Sequence, residues 1–397
     1  MDPHAFVSEE RGVVRRDPTG YWAFHPGRLP RRPDLPYDLV SLLDSATAAV
    51  NRLGGVGRLL PNPHLLMGPH LRLEAVLSSR IEGTRTDVGE LLRFEAGQRP
   101  PAHQVDDARE VHNYVMAMEH GLDRIRSGFP LSVRLLREMH ELLLSGTRGH
   151  DRRPGELRTS PVWIGGANLM DAVFVPPPPD VMRDALDDFE RFLHDDTMPL
   201  LVHLALAHYQ FEAIHPFLDG NGRIGRLLIP LMLVIRGVLT QPLLYLSVYF
   251  ERNRSEYYDL LLSTSQRGDL VPWIRFFLRG VASQASDAEE RTVRLVELQH
   301  RMRNDLLGEG RPNSVIRLGE HLFAFPVVTA KSVASSLGIA KPTAHSAIDA
   351  LVQRGDLIET TGRDRGRVYE APHIFDVVFG AIAPGEPPTG QLRLGDR

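Results

Sequence analysis

A glycine-rich segment between two apolar stretches carries residues that could hold a phosphate group. Gly220, Asn221 and Gly222 follow an apolar stretch that ends near Ile214, and a second apolar stretch opens near Arg223. Glycines at such a junction let successive main-chain N–H groups point at one spot, and the positive end of the following helix adds to the attraction for an anion. The segment therefore predicts an anion cradle.

Side chains around this cradle supply charge, a metal ligand and a base. Arg223 and Arg226 lie three residues apart, so on a helix they share a face and can grip phosphate oxygens with forked donors. Asp219 offers a hard carboxylate oxygen suited to Mg²⁺. His215 precedes the cradle, where a neutral imidazole could take a proton from an incoming hydroxyl. Phosphoryl-type transfer requires these parts: positioning, charge neutralisation and one base.

Two other interpretations of this region are weaker. Asp-Gly-Asn-Gly could be a plain helix connector, but eight demanded positions within twelve residues make a chance match on the order of 10⁻¹⁰ per start. A metal hydrolase could use His203, His208 and His215 with Glu212. However, His203 and His208 are five residues apart rather than four, and the sequence contains no H-E-x-x-H.

The segment from His215 to Arg226 matches the signature H-x-F-x-[DE]-G-N-G-R-x-x-R of the Fic family without a departure, and so resembles the nucleotide site of that family. The resemblance implies a mostly helical core that transfers AMP from ATP, with Mg²⁺, to a Ser, Thr or Tyr hydroxyl. In this scheme Arg223 meets the β-phosphate and Arg226 the γ-phosphate. The implied site residues are His215 as general base, Asp219 as metal ligand, and Gly220, Asn221, Gly222, Arg223, Ile224, Gly225, Arg226 and Asn253 as the ATP-binding set.

Ser78 and Glu82 lie four residues apart near the end of a predicted helix, so they share one face. The stretch from Ser78 to Gly83 resembles the [ST]-x-x-x-E-[GN] inhibitory helix of Fic proteins, in the class that carries it N-terminal to the core. The resemblance implies that Glu82 pairs with Arg226 and holds ATP in an unreactive pose until it moves away. A helix that only packs is the alternative.

The elements that position these residues are predicted to be mainly helical. Predicted helices cover 37–53, 69–82 with Pro69 in its first turn, 107–126, 131–145 and, with interruptions at Pro230, Pro242 and Pro272, 181–307. Residues 93–106 predict a loop. Residues 1–36 are rich in Pro, Arg and Gly and predict an irregular arm, with Tyr21, Trp22 and Phe24 as anchors.

Two apolar runs around Gly165-Gly166 predict a β-hairpin over 158–175. It resembles the Fic flap, which implies that a target protein docks there by pairing main chain with it. Trp163 fits packing and target contact equally well.

The C-terminal part predicts a winged helix after a linker at 308–313. A helix over 329–337, a turn at Gly338, a helix over 341–354 and a strand pair around 362–366 give this order. Its basic patch could bind DNA; a dimerisation or docking module fits the same residues, and we expect a homodimer. The patch consists of Lys341, His345, Arg354, Arg363, Arg365 and Arg367.

The predicted fold class is mainly α, with a helical Fic core, a β-hairpin flap and a C-terminal winged-helix domain. The predicted divisions are an N-terminal arm and inhibitory-helix region at 1–106, the Fic catalytic core at 107–280, a connecting helix and linker at 281–312, the winged helix-turn-helix at 313–380 and a disordered tail at 381–397.

Composition excludes several classes of function. The formal charge of −4 and pI near 6.5 give no global attraction to nucleic acid or anionic membrane. No apolar run approaches the roughly 18 residues of a spanning helix and no signal peptide is evident, so we expect no membrane association and a cytoplasmic protein. The absence of cysteine removes disulfides and thiol nucleophiles. Lys331 and Lys341 are the only lysines, so an ATP site in the first 330 residues must use arginine.

Protein adenylyl transfer, with Glu82 as a brake, is the function that these features favour. A DNA-binding regulator whose Fic core senses nucleotide stays open, as do removal of AMP with Glu82 positioning water and the use of another phosphate donor. The sequence leaves the target and the modified residue type undefined.

Overall fold

The computed structural model describes residues 1–59, 63–98, 101, 104–147 and 151–380. It is mainly helical, as the sequence predicts. The helices are α1 Tyr37–Leu59, α2 Pro63–Ile81, α3 Val88–Glu95, α4 Val105–Arg126, α5 Val133–Leu144, α6 Pro179–Leu193, α7 Leu200–Ile214, α8 Asn221–Ile235, α9 Ser247–Arg252, α10 Arg254–Arg267, α11 Val271–Gly308, α12 Asn313–Leu322, α13 Ala330–Leu337, α14 Lys341–Arg354 and α15 Pro372–Phe379. The strands are β1 Gly12–Arg16, β2 Trp22–Pro26, β3 Val327–Val328, β4 Ile358–Glu359 and β5 Tyr369–Glu370.

Two helices that are apolar on nearly every side form the centre of the fold. Almost every residue of α7 and α8 is buried, as expected for helices without a polar face. They pack against each other, with α4, α5 and α2 against α8 and with α6 and α11 against α7. The residues between them, 215–220, are thereby fixed at both ends, which positions the predicted site.

Two prolines lie inside helices that the sequence analysis expected them to start or interrupt. Pro69 is inside α2 rather than in its first turn, and Pro230 is inside α8. An interior proline costs about 3 kcal/mol because it removes a hydrogen bond and crowds the preceding turn. Packing of both helices on several neighbours outweighs that cost. Pro272 lies in the first turn of α11, where proline is tolerated.

The N-terminal arm is more regular than predicted. Strands β1 and β2 pair antiparallel, with Gly12 opposite Pro26 and Arg16 opposite Trp22. Tyr21 and Phe24 are buried anchors, whereas Trp22 is 36% exposed and does not anchor the arm. This hairpin has no clear sequence signal, because its two five-residue strands lie among turn-forming residues that favour irregular structure.

Residues 93–106 do not form one loop, because α3 reaches Glu95 and α4 begins at Val105. Helix α3 begins with a capping box: the Asp87 carboxylate accepts from the Glu90 N–H at 2.7 Å, and the Glu90 carboxylate accepts from the Asp87 N–H at 2.9 Å. The spacing of Asp87 and Glu90 is visible in the sequence, so the prediction was wrong to leave out a helix after Asp87.

The predicted hairpin at 158–175 is instead a loop closed by one isolated bridge between Ile164 and Phe174. No strand pair is formed in the described part of this segment, which the prolines at 176–179 follow directly. Its C-terminal end is fixed to the arm, since the Phe24 N–H donates to the Val175 carbonyl at 2.9 Å and the Phe24 and Phe174 rings lie 5.5 Å apart. We call residues 158–177 the flap segment.

The C-terminal residues form a second core around a three-stranded sheet in the order β3-β5-β4. Helices α12, α13 and α14 pack together on it. Gly308 still belongs to α11, and only residues 309–312 separate that helix from α12, so the predicted linker is short. The predicted tail at 381–397 lies outside the described residues.

Helix α2 contacts both cores. Leu73 and Leu77 pack with Val248 and with Phe379 of α15, while the Arg72 guanidinium lies 4.9 Å from the centre of the Phe325 ring. The 38-residue helix α11 also contributes side chains to both cores. In the part of the chain that the structure describes, no helix is long and apolar enough to cross a bilayer.

Candidate active site

The predicted base lies where α7 ends. His215 has left-handed backbone angles, φ 50° and ψ 63°, which reverse the chain direction after the helix. Its Nδ1–H donates to the Glu212 carbonyl at 3.3 Å, so Nε2 carries the free lone pair. Burial, followed by the positive charge of Arg158, lowers the pKa of His215 to about 4. The imidazole is therefore neutral at pH 7 and able to accept a proton.

The loop between α7 and α8 is closed by one side chain. The Asn221 amide oxygen accepts from the Phe217 N–H at 2.8 Å, and its NH₂ donates to the Phe217 carbonyl at 2.9 Å. Gly220 has φ 76°, which favours glycine, and α8 begins at the next residue. The first turn of α8 therefore directs main-chain N–H groups at the space beside His215. The Gly220 N–H itself donates to the Asp219 carboxylate at 2.6 Å, and the role of this turn as an anion cradle stays a prediction.

His140 supports the same loop, although no sequence pattern marks it. Its Nε2–H donates to the Asp219 carbonyl at 2.9 Å, while Nδ1 accepts from the Gly155 N–H at 2.9 Å. The ring stacks on Phe217 with 3.9 Å between centroids. Burial lowers the pKa of His140 to about 4, so this neutral tautomer persists.

Three residues that the sequence analysis grouped as a brake meet in the structure. The Arg226 guanidinium donates to the Glu82 carboxylate at 2.6 Å, to the Ser78 hydroxyl at 2.8 Å and to the Ser78 carbonyl at 3.0 Å. Only 2% of the Arg226 side chain is exposed. A Cβ atom at Gly222 would lie 2.3 Å from the Glu82 carboxylate, so any larger residue there would have to displace the Glu82 side chain.

A buried carboxyl group holds α2 in this position. Glu74 accepts from the Tyr114 hydroxyl at 3.0 Å, from the Ser247 hydroxyl at 2.5 Å and from the Ser247 N–H at 3.1 Å. These contacts join α2 to α4 and α9. Burial raises the pKa of Glu74. Glu82 directly follows α2. Its position is therefore set by contacts of Ser78, one turn earlier, and of Glu74, two turns earlier.

The metal ligand implied by the resemblance, the single acid of the motif, is accessible to solvent. Asp219 has 47% of its side chain exposed and lies 3.5 Å from the guanidinium of Arg223, which also lies 3.5 Å from Glu110. Among the described residues, no group of three His, Asp or Glu side chains forms a metal site. A single carboxylate nevertheless fits Mg²⁺, which keeps several waters and commonly binds through one carboxylate plus phosphates.

The histidines of the metal-hydrolase interpretation are bonded elsewhere. His203 Nε2 lies 2.8 Å from the Phe192 carbonyl. His208 contacts the Gly225 carbonyl at 3.0 Å and the Tyr257 hydroxyl at 2.8 Å. Within the described chain these rings are satisfied core residues, so they are not available to a metal.

Glu212 is a buried acid beside the predicted base. Its carboxylate lies 3.9 Å from His215 Nδ1 and 4.0 Å from His208 Nε2. Oε1 has no hydrogen-bond partner among the described residues. Burial raises the pKa of Glu212 to about 8, against the opposing effect of Arg226. The carboxyl group is thus largely protonated near pH 7.

The predicted adenine-binding residue lies between α9 and α10. The Asn253 NH₂ donates one of its two N–H groups to the Tyr249 carbonyl at 2.8 Å. Tyr257 is buried against His208, and Tyr258 lies beside it with 5.1 Å between ring centroids. Tyr257 is a core residue, Tyr258 is half-buried, and the role of Asn253 stays a prediction.

The predicted basic patch of the C-terminal core is only partly present. Its exposed members are Lys341, His345, Arg363, Arg365 and Arg367. Arg354 was wrongly included, because its guanidinium pairs with Asp356 at 2.7 Å and also contacts Asp305 and Glu309. These carboxylates neutralise it and leave 16% of its side chain exposed.

Two family models match the parts of the chain that contain Glu82 and the segment from His215 to Arg226. The family model described as Fic/DOC family N-terminal matches residues 40–123, and the model described as Fic/DOC family matches residues 130–233. The protein named protein adenylyltransferase Fic from Drosophila yakuba is 29% identical over 196 residues, which are 48% of this chain and 34% of that protein. The protein of the same name from Drosophila melanogaster is 30% identical over 197 residues, 48% of this chain and 35% of that protein. The match thus spans about a third of the length of these curated relatives.

Solved structures share the fold. A Fic family protein from Desulfovibrio desulfuricans has a TM-score of 0.54 and 21% identity, over 86% of this chain and 98% of that one. Fic-1 from C. elegans has a TM-score of 0.51 and 24% identity, over 65% of this chain and 74% of that one. At these identities the likeness establishes the fold alone.

Proposed function

The chain belongs to the Fic/DOC family, and we propose that it is a protein adenylyltransferase, which moves AMP from ATP to a Ser, Thr or Tyr hydroxyl of a target protein or of itself. The observation that carries this proposal is the neutral His215, whose free Nε2 stands beside the N-terminus of α8 and its two motif arginines. Relatives named protein adenylyltransferase Fic support the same activity.

The proposed step is one displacement at phosphorus. The target hydroxyl oxygen forms a bond to the α-phosphorus, and the bond from that phosphorus to the pyrophosphate oxygen breaks. The hydroxyl proton passes to Nε2 of His215, and pyrophosphate leaves. Main-chain N–H groups from Gly220 to Gly222 would hold phosphate oxygens, with Arg223 on the β-phosphate and Arg226 on the γ-phosphate. Ile224 and Gly225 complete the first turns of α8.

Asp219 is the residue that would hold Mg²⁺, since its carboxylate is half exposed at the mouth of the cradle. The ion, when bound, neutralises charge on the phosphate oxygens of the donor. The chain's own part is to present one oxygen ligand and to leave the remaining positions to phosphate and water.

We also propose that the contact between Glu82 and Arg226 is autoinhibitory. Arg226 gives three hydrogen bonds to Ser78 and Glu82, so its guanidinium is not free to bind a γ-phosphate. ATP then binds without that contact, in a pose that does not present the α-phosphorus correctly. Displacement of Glu82 would release the arginine.

Labelled ATP tests the proposal directly. The Glu82→Gly variant is incubated with Mg²⁺ and ATP labelled at either the α- or the γ-phosphate, with His215→Ala in the same background as control. Label transferred from the α position alone supports AMP transfer. Label from γ alone would mean kinase chemistry and refute it. Loss of AMP from a modified protein, catalysed by the wild type and not by Glu82→Gly, would favour the reverse reaction.

The flap segment is the proposed docking site for the target. It presents the exposed side chains of Trp163, Met170 and Val173. Main-chain pairing along such a loop is a general way to capture an extended peptide. Trp163→Ala, compared with the exposed Met116→Ala on α4, measures whether this surface contributes to target modification.

For residues 313–380 we propose a winged helix that binds duplex DNA, which would make the protein a nucleotide-sensing regulator as well. In its support, Lys341 and His345 are exposed on α14, and three arginines are exposed between β4 and β5. A module for dimerisation is the competing proposal. Light scattering with and without random duplex DNA separates the two, because only dimerisation doubles the mass of the protein alone.

A further inference from the structure

A fully buried arginine lies behind the catalytic loop and takes no part in the proposed chemistry. Arg158 is 0% exposed. In the described part of the chain, no carboxylate lies within ion-pair distance of it. Its guanidinium donates only to main-chain carbonyl groups. The acceptors are His215 at 2.8 Å, Ile214 at 3.3 Å, Ser160 at 3.3 Å and Pro177 at 2.5 Å.

Two of these acceptors lie where α7 ends. The carbonyls of Ile214 and His215 are at the C-terminus of that helix, where main-chain acceptors lack helical partners and the helix dipole is negative. The Arg158 N–H also donates to the Pro216 carbonyl at 3.0 Å. One residue thus holds three successive peptide groups around His215. His215 needs such support, because its positive φ is unfavourable for a residue with a Cβ atom.

The other two acceptors lie at the two ends of the flap segment. Ser160 lies two residues after Arg158, at its start, and Pro177 is its last residue. The same guanidinium therefore joins the base of the flap segment to the main chain that carries the imidazole. The planar fork of arginine presents its donors in a fixed geometry, which suits four main-chain acceptors at once, whereas the ammonium group of lysine is a flexible point charge.

We propose that Arg158 is a positioning residue, which fixes the main chain of His215 relative to both ends of the flap segment and so sets the approach of the target hydroxyl to the imidazole. The proposal rests on the proposed transfer reaction. It concerns how the base is held, since Arg158 makes no hydrogen bond to a residue of the cradle between 217 and 226.

The pKa of His215 provides an independent test of this proposal, because it depends on the charge of Arg158. After burial, Arg158 is the largest influence that lowers the pKa of His215, while Glu82 and Asp219 act in the opposite direction. Glu212, which lies 3.9 Å from the ring, is the nearest acid. Arg158 itself stays protonated at neutral pH, because burial lowers its pKa only to about 10. Removing the charge should therefore raise the pKa of His215, whereas a residue that only fills space would leave it unchanged.

The test compares Arg158→Lys and Arg158→Gln in the Glu82→Gly background. Misplacement by about 1 Å can cost about 100-fold in rate, so we expect kcat to fall about 10-fold for the lysine variant and about 100-fold for the glutamine variant. KM for ATP should stay within about two-fold, because the cradle is untouched. Arg236→Gln is the control, since Arg236 also donates to a main-chain carbonyl, that of Asp195, but lies at the C-terminal end of α8, away from the motif at its N-terminus.

The second measurement is NMR titration of His215 in otherwise wild-type protein with ¹³C-labelled histidine, assigned with His215→Ala. We expect the pKa to rise towards 6.5 in Arg158→Gln and to stay low in Arg158→Lys. An unchanged pKa in Arg158→Gln, or an unchanged kcat in both variants, overturns the proposal. If Arg158→Gln fails to fold, the kcat of Arg158→Lys decides. Absence of AMP transfer in Glu82→Gly itself would refute the proposed function instead, and the titration would still report on Arg158.

Discussion

Replacing Glu82 with glutamine separates the charge of the proposed brake from its shape. Glutamine keeps the length of the side chain and an oxygen that can accept from Arg226, but it removes the negative charge. In the structure the two groups are 2.6 Å apart, with Arg226 buried and Glu82 25% exposed. The variant therefore weakens one interaction without opening the space that a γ-phosphate would enter.

The magnitude follows from Coulomb's law. Two unit charges about 4 Å apart, centre to centre, attract by about 4 kcal/mol at an effective dielectric constant near 20. The partial exposure of Glu82 screens this to about 2 kcal/mol. Since about 1.4 kcal/mol corresponds to ten-fold, Glu82→Gln should raise the rate of self-modification about 30-fold. Glu82→Gly also removes the charge-assisted hydrogen bond, worth about 1.5 kcal/mol, and should raise the rate about 300-fold.

The assay is incorporation of α-labelled AMP into the protein at saturating ATP and Mg²⁺, read as an initial rate. Each variant is paired with the same variant carrying His215→Ala, which defines zero. Ser78→Ala is the matched control, because it removes one hydrogen bond of Arg226 and keeps the ion pair. A glutamine variant as slow as the wild type, beside a fast glycine variant, would show that Glu82 inhibits by occupying space and would refute the electrostatic argument.

Three further predictions concern other parts of the molecule. Replacing Arg363, Arg365 and Arg367 together with alanine should weaken a gel shift on random duplex DNA and reduce the magnitude of the slope of log K against log salt by about 3; no shift by the wild type at low salt would argue against DNA binding. The pKa of Glu212, near 8 when folded and 4.5 as the ordinary value, means that the stability contribution of its protonated form is complete below about pH 4.5 and is lost as pH rises through 8. Glu212→Gln should therefore raise Tm relative to the wild type at pH 8.5 and not at pH 4.5, and equal differences at both pH values would contradict this. Phe379→Ala should lower the free energy of unfolding by about 2 kcal/mol in urea titrations, because half-buried Phe379 packs α15 on α2, and a change below about 0.5 kcal/mol would mean that this contact is loose.

The chemistry of the site was predictable because its residues are local. His215 to Arg226 occupy one loop and one helix turn, so residue type and spacing alone indicate a base, a carboxylate, a cradle and two arginines. The contact of Glu82 with Arg226 spans 144 positions, and only the resemblance to a family pointed to it. Periodicity contains no information about which helices meet.

The parts that were missed depend on main-chain partners in distant segments. Arg158 and His140 bond to carbonyl and N–H groups, which every residue possesses, so no pattern of side chains marks them. Helix α3 and the N-terminal hairpin were missed for a different reason. Their signals, a capping box at Asp87 and a turn at 17–20, were in the sequence but were outweighed by the polar and proline-rich composition around them.

The number of residues in helix α11 sets the orientation of the C-terminal core relative to the first core. The helix leaves the first core near Ala288 and enters the second near Leu295, and between them the Arg291 guanidinium donates to the Val378 carbonyl of α15. A helix advances 1.5 Å and turns 100° per residue, so deleting one residue between 292 and 294 would rotate the second core by about 100° while leaving the interior of each core intact. Phe379 would then face away from α2. The number of residues in this helix, as much as any single contact, therefore determines which face of the C-terminal core meets α2.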